Sequence, residues 1–423
     1  MRYNGFKYFK SIGLILCFLF VIPFPIHAEE NNQPNNQTPA SFTLDQLIQL
    51  ARQHNLQMKI ANLDQKIAVE SYKDSRALPN PDFEYSTGRG TPGDSPDKPR
   101  LWDFGFKWSM PNPIYRYFLM KSLKADVTAA EIQSEINSRE VIRDLKIHFY
   151  KLLLVMKLKS AAEERVRILT EIEHITKAKV EIGEMKEIDA LRASVETQKN
   201  HAALFRLEKT ITSERNALNE FMNFTLPENF TIQGDLDIHL NPDLDARLRQ
   251  SISDSPILRL NLSQLKKGGA QLNAARSSII ESIEVFTERA KEIDGKLWKV
   301  GVGISIPLFN QKSAAVRAAQ LQKQKAETAL SQAIKHLSAE IDRITGELRS
   351  LEKEIEIFKN AVLDEGGKNR ELTEKLYKEG EVPLVVFLDA QTNFFDIQER
   401  YYNAITEWNI LTAERDAILG GHE

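Results

Sequence analysis

Two periods of apolar residues organise the chain. Trp102, Phe104, Phe106, Trp108 and Met110 alternate with Asp103, Gly105, Lys107 and Ser109. The same beat returns in Trp298, Val300, Val302, Ile304 and Ile306 against Lys299, Gly301, Gly303 and Ser305. A period of two predicts strands with one apolar and one polar face. A weaker alternation precedes each one. Phe83 and Tyr85 face away from Glu84 and Ser86, while Ile283 and Val285 alternate until Phe286 falls out of step. Residues 89–100 are rich in Gly, Pro and Asp, as an exposed hairpin loop is. Pro111 and Pro307 are placed where strands end. β-Hairpins are therefore expected at about 82–110 and about 281–306.

The second period is helical. Leu330, Ile334, Leu337, Ile341, Ile344, Leu348, Leu351, Ile355, Phe358 and Val362 are spaced by fours and threes. Ile142, Leu145, Phe149, Leu152 and Met156 obey the same rule. This is a sustained heptad seam. Between Pro113 and Gly183, and again between Asn310 and Gly380, Pro is absent, and the ends of each span lie 70 residues apart. Fully helical, such a span reaches roughly 105 Å at about 1.5 Å per residue. Helices then return through Leu191 to Met222 and through Phe387 to Leu419. A shorter helix precedes each hairpin, at about Leu44 to Leu78 and about Leu244 to Ser278.

These elements occur twice in the same order. Leu44-Asp45 recurs as Leu244-Asp245, Leu101-Trp102 as Leu297-Trp298, and Gly183-Glu184 as Gly380-Glu381, at offsets of 200, 196 and 197 residues. The organisation predicted is a repeat over 29–222, a connector over 223–242 that adds small elements at the waist, and a second repeat over 243–423. Residues 1–28 read as a signal peptide. Arg2, Lys7 and Lys10 precede the apolar run Ile12 to Ile22, and Ala28 stands at the cleavage position. The fold class expected is mainly α with a transmembrane β portion.

Composition narrows the functions. The net charge is -3, so no basic field points to nucleic acid. The one cysteine, Cys17, lies in the signal segment, and a bulky Leu16 before it argues against lipidation. Disulfides, thiolate metal sites and cysteine nucleophiles are excluded from the rest. The eight histidines are scattered, with none paired at metal spacing. No phosphate loop, dinucleotide motif or zinc-protease helix is present. The expectation is no enzyme, no catalytic residue, no metal and no cofactor.

An apolar strand face suits lipid, and a polar face with glycine and charge suits a water-filled lumen. Four strands cannot close a barrel, and open edges are forbidden in lipid. A membrane reading therefore requires self-association, and geometry alone leaves dimer and trimer open. The alternative is a non-conducting structural coiled-coil protein of the envelope.

With the duplication, the two glycine tips and the run Gly301-Val302-Gly303-Ile304-Ser305-Ile306-Pro307-Leu308-Phe309-Asn310 in view, the chain resembles the TolC-like outer-membrane efflux proteins. The Ile-Pro-Leu-Phe-Asn run is most similar to their heavy-metal-export branch. The resemblance implies a homotrimer in the outer membrane of a Gram-negative-type envelope, in contact with its lipid. A 12-stranded β-barrel would stand on a 12-helix periplasmic α-barrel. It also implies a passive exit duct working with a periplasmic adaptor (membrane-fusion) protein and an inner-membrane pump of RND or ABC type.

Adaptor contact then falls on the tips Ile182-Gly183-Glu184 and Glu379-Gly380-Glu381. A ring of Asp389 side chains would narrow the closed tunnel, and Tyr377 with Asp189 would help lock it. Val382 and Val386 depart from the family pattern, which turns attention to Arg192, Lys375 or Lys378 for closure.

Overall fold

The computed structural model describes residues 40–90, 99–238, 252–280 and 282–419. The expected signal peptide 1–28, the loop centre 91–98, residues 239–242 of the connector and Leu244-Asp245 lie outside them.

β1 (Ser41–Thr43) leads into α1 (Leu44–His54) through a capping box. The Thr43 hydroxyl accepts from the Gln46 N–H, and the Gln46 side chain accepts from the Thr43 N–H. The single helix expected from Leu44 to Leu78 is in fact two, α1 and α2 (Leu56–Ser75). Asn55 separates them in an extended conformation, with φ -66° and ψ 125°. Its Oδ1 accepts from the Met58 N–H at 3.0 Å, and its Nδ2 donates to the Phe221 carbonyl at 3.1 Å. Asn favours this capping role over a place inside a helix.

β2 (Asp82–Arg89) and β3 (Arg100–Pro111) follow. Asn112 then caps α3 (Pro113–Glu181), whose first residue is proline, where the missing N–H costs nothing. At 69 residues, α3 runs roughly 100 Å. α4 (Glu187–Phe221) returns beside it. In the connector, β4 (Thr231–Gln233) pairs in parallel with β1, Ser41 opposite Thr231. A 3-10 turn (Ile252–Asp254) and α5 (Pro256–Ser277) open the second half. β5 (Ser282–Glu292) and β6 (Gly295–Ile304) form its hairpin.

The second long span is interrupted, unlike the first. α6 (Ser313–Ile357) passes through one π turn (Phe358–Val362) into α7 (Leu363–Glu379). A π turn adds a residue to the helical count and so re-aims the face that follows. The heptad positions from Leu337 to Ile355 are buried, whereas Leu330, Phe358 and Val362 are only half-buried and Ile334 is exposed. α8 (Leu384–Leu419) closes the described chain. β6 also stops short of the expected end at Ile306. Its ladder with β5 ends at Ile283 opposite Ile304, and the Leu308 N–H turns back to the Ile306 carbonyl across Pro307.

The helices bury their seams. Leu47, Leu145, Leu152 and Leu218 are fully enclosed where α1, α3, α4 and the connector meet. Ile344, Leu348, Leu351 and Ile355 of α6 pack on Ala404, Ile405, Trp408 and Leu411 of α8. Each such side chain contributes about 1.5–3 kcal/mol by leaving water. The four longer strands form one antiparallel sheet in the order β2-β3-β5-β6, so the two hairpins join through β3 and β5. β2 and β6 are left as edges.

Candidate functional site

The sheet turns its amphipathicity the opposite way from the helices. Strand register places Phe83 beside Phe106, Tyr85 beside Phe104, Trp108 beside Val285, and Val285 beside Val302. These side chains share one face. No helix of the described residues covers it, and Trp298, Val300, Val302 and Ile304 are exposed to between 56% and 73%. Glu84, Asp103, Lys107, Glu284, Glu288 and Lys299 share the other face. There Lys107 pairs with Glu284 at 3.1 Å and Lys299 with Glu288 at 3.6 Å.

Phe286, out of step in the sequence, lies on this polar face opposite Gly301. A Cβ on Gly301 would sit 2.4 Å from the Phe286 ring. The glycine is thus the space that an aromatic ring fills across the strand pair, which protects the ladder where no side chain would.

The second region is where the two long hairpins reverse. Gly183 and Gly380 have φ of +78° and +81°, the left-handed region that glycine enters without strain. Both helices end the same way. The Glu184 N–H donates to the Lys179 carbonyl and the Glu381 N–H to the Leu376 carbonyl, each at 2.9 Å. This six-to-one bond is the Schellman closure that satisfies carbonyls left over at a helix end. Ile182, Gly183, Glu184, Glu379, Gly380 and Glu381 are all exposed.

The tips touch each other within one protomer. Lys179 Nζ donates to the Lys378 carbonyl at 3.4 Å and lies 5.8 Å from the centre of the Tyr377 ring. Tyr377 is wholly buried among Ile168, Leu169, Ile172, Ala193, Leu384 and Phe387, and stacks on Phe387 with ring centres 5.4 Å apart. Its hydroxyl meets Thr176 Oγ1 at 2.6 Å. Thr176 spends its own proton on the Ile172 carbonyl at 2.7 Å, so Tyr377 is the donor. Burial pushes the Tyr377 hydroxyl pKa above its ordinary value. The Asp189 charge adds to it.

The expected residues are thus only partly assembled. Tyr377 makes its bond to Thr176, while Asp189 is half-buried in the first turn of α4 and acts on Tyr377 through its charge. Asp389 is exposed on α8, with Asn393 Nδ2 at 3.4 Å. Lys378 is engaged within the protomer by Glu171 at 2.7 Å and Glu374 at 3.1 Å. These bonds hold its pKa up. Lys375 Nζ lies 4.0 Å from a Glu379 carboxylate oxygen.

Thr176, Lys179 and Phe387 were missed as parts of this site. The signal for Thr176 was available, because it continues the line Ile168, Ile172 at the spacing of a buried seam. Among the described residues, no group of three or more His, Cys, Asp or Glu is placed to hold a metal ion. No described helix is long and apolar enough to cross a membrane.

Residues 256–421 match the outer membrane efflux protein family. No curated protein sequence matches the chain. Solved structures share its architecture. A CusC structure is 16% identical, covers 90% of this chain and 92% of its own, and superposes with a TM-score of 0.77. The Campylobacter jejuni CmeC outer membrane channel is 16% identical over 89% of this chain and 85% of its own, with a TM-score of 0.76. The open-state Neisseria gonorrhoeae MtrE outer membrane channel is 18% identical over 89% of each chain, with a TM-score of 0.72. At these identities the likeness is one of fold. The family likeness thus lies in residues 256–421, and the chain shares the fold of these outer membrane channel structures.

Proposed function

We propose that the protein is the exit duct of a tripartite export system, sited in the outer membrane with a long periplasmic extension. The observation that carries this reading is the sheet with an exposed apolar face and a charged opposite face. In water that face would be a liability, and in lipid it is the solvated one. Its two open edges need partners, because backbone groups in hydrocarbon must be paired. Three chains, each giving four strands, would close a 12-stranded barrel. Their long helices would continue it as a 12-helix tunnel.

Cargo would move passively from an inner-membrane pump and a periplasmic adaptor. The exposed tips 182–184 and 379–381 are the surface we assign to the adaptor. Asp389, exposed on one protomer, is assigned to the constriction, where three carboxylates near an axis would attract cations and repel one another. Tyr377 and Asp189 are assigned to the packing that holds the two hairpins of a protomer together.

The test is single-channel conductance in a planar bilayer, comparing the protein with Asp389→Ala. Small, cation-selective currents that grow or lose selectivity in the variant support the duct and its constriction. Equal currents keep the duct and remove Asp389 from it. Silence from both, with oligomers verified in the bilayer, overturns the conducting reading.

A further inference from the structure

The uncovered apolar face of the sheet is not uniform along its height. At the helix end, its rows read Met110, Ile283 and Ile304, then Trp108, Val285 and Val302. In the middle come Phe83, Phe106, Thr287 and Val300. Next are Tyr85, Phe104, Arg289 and Trp298. The following row is Thr87, Trp102, Lys291 and Lys296, and the last pair is Arg89 and Arg100. The hairpin-loop end of this face therefore carries Arg89, Arg100, Arg289, Lys291 and Lys296, all exposed.

Register puts no carboxylate on this face. Asp103, Glu284, Glu288 and Glu292 all point to the opposite side, and Asp294 lies in the β5–β6 turn. Lys107 and Lys299, on the polar face, both have carboxylate partners. None of the five cations on the apolar face pairs with a carboxylate of the described residues. Five positive charges therefore sit directly beyond a band of Trp, Phe, Tyr and Val, at the height where Trp102 and Trp298 would mark an interface.

We propose that these five side chains bind the phosphate groups of anionic lipid headgroups in the leaflet at the loop end of the sheet. This rests on the reading that the apolar face meets lipid. The chemistry fits on three counts. Arginine presents a fork that matches phosphate oxygens in a bidentate way. Long cationic side chains lay their stems along apolar surface and lift their charge to the interface. Successive rows are about 7 Å apart along the strands, so Arg289, then Lys291 with Lys296, then Arg89 with Arg100 span a headgroup layer rather than a single plane. Closure into an oligomer would repeat the cluster around the wall as a continuous positive belt.

The full chain would be reconstituted into vesicles of equal parts phosphatidylcholine and phosphatidylglycerol. It would then be extracted gently, and the retained lipids quantified by mass spectrometry. Three variants accompany it. In the first, Arg89, Arg100, Arg289, Lys291 and Lys296 become Gln. In the second, the three arginines become Lys. In the third, Lys107→Gln and Lys299→Gln alter the opposite face.

The expected result is phosphatidylglycerol enriched at least about fivefold over phosphatidylcholine, since one cation near an anionic surface is worth about that factor. The five-glutamine variant loses the enrichment, while the lysine and opposite-face variants keep it. Insertion with no enrichment in the parent, or enrichment that the glutamine variant retains, overturns the proposal and leaves the membrane reading intact. Failure of the parent to insert into either lipid overturns both.

Discussion

The helices and the sheet are amphipathic in opposite senses. In the helical region the apolar seam is the inside, with Leu145, Leu152 and Ile344 closed off from solvent. In the sheet the apolar face is the outside, with Val300, Val302 and Trp298 uncovered. On the proposed reading the two regions meet different solvents. The hydrophobic term is then the same in both, and the medium is what would differ.

Substitutions can separate the two regions. The largest effect is expected in the helical seam. Leu145→Ala should cost about 2–5 kcal/mol by emptying an enclosed site, read as a lower midpoint of denaturant unfolding of the helical signal. Val300→Arg should leave that midpoint alone. It should cost about 2–4 kcal/mol only when folding is measured into a bilayer. Equal effects of Val300→Arg in detergent and in lipid would break the comparison.

A smaller effect tests the polar face. Gly301→Ala forces a methyl into the Phe286 ring and should cost about 1–3 kcal/mol by overpacking. Gly301→Ala combined with Phe286→Ala should recover most of it. A double variant no better than the single one would mean that the ring is not what the glycine accommodates.

The smallest effect lies at the tips. Thr176→Val leaves the buried Tyr377 donor only the weakly accepting Met185 sulfur at 3.7 Å and should cost about 1–3 kcal/mol. Tyr377→Phe removes the donor itself and should cost no more than about 1 kcal/mol. The pH dependence has a defined sign. The hydroxyl pKa is raised in the folded protein, so its contribution is whole below the ordinary value of 10.0 and falls as pH climbs through the folded value. The unfolding midpoint should therefore fall more steeply in alkali above that point in the parent than in Tyr377→Phe. The same alkaline response in both would assign it to another group.

How legible this was depended on whether a pattern repeated. Strand alternation at 102–110 and the seam from Leu330 to Ile355 recur over many residues, so one exception cannot hide them. The break at Asn55 rests on a single side chain whose second partner, the Phe221 carbonyl, is 166 residues away, and no local rule reports that. The π turn at Phe358–Val362 falls inside a heptad that continues smoothly in sequence, because a one-residue widening leaves the apolar letters in place. At the tips, both glycines announce their left-handed turns. The bond that ties the tips together uses Thr176, whose polar letter sits in an apolar line. The family resemblance pointed to Asp189, whereas packing brought Thr176 to the Tyr377 hydroxyl.

The central claim is that one face of the sheet meets lipid and the other meets water. Cys17 is the only cysteine of the sequence, so single cysteines can be introduced cleanly in a Cys17→Ser background. Lys107→Cys, Lys299→Cys, Val300→Cys and Val302→Cys would be reconstituted into vesicles and treated with a charged, water-borne maleimide. The account expects rapid labelling at 107 and 299, and protection at 300 and 302 that detergent relieves. Equal labelling at all four positions in vesicles would contradict it.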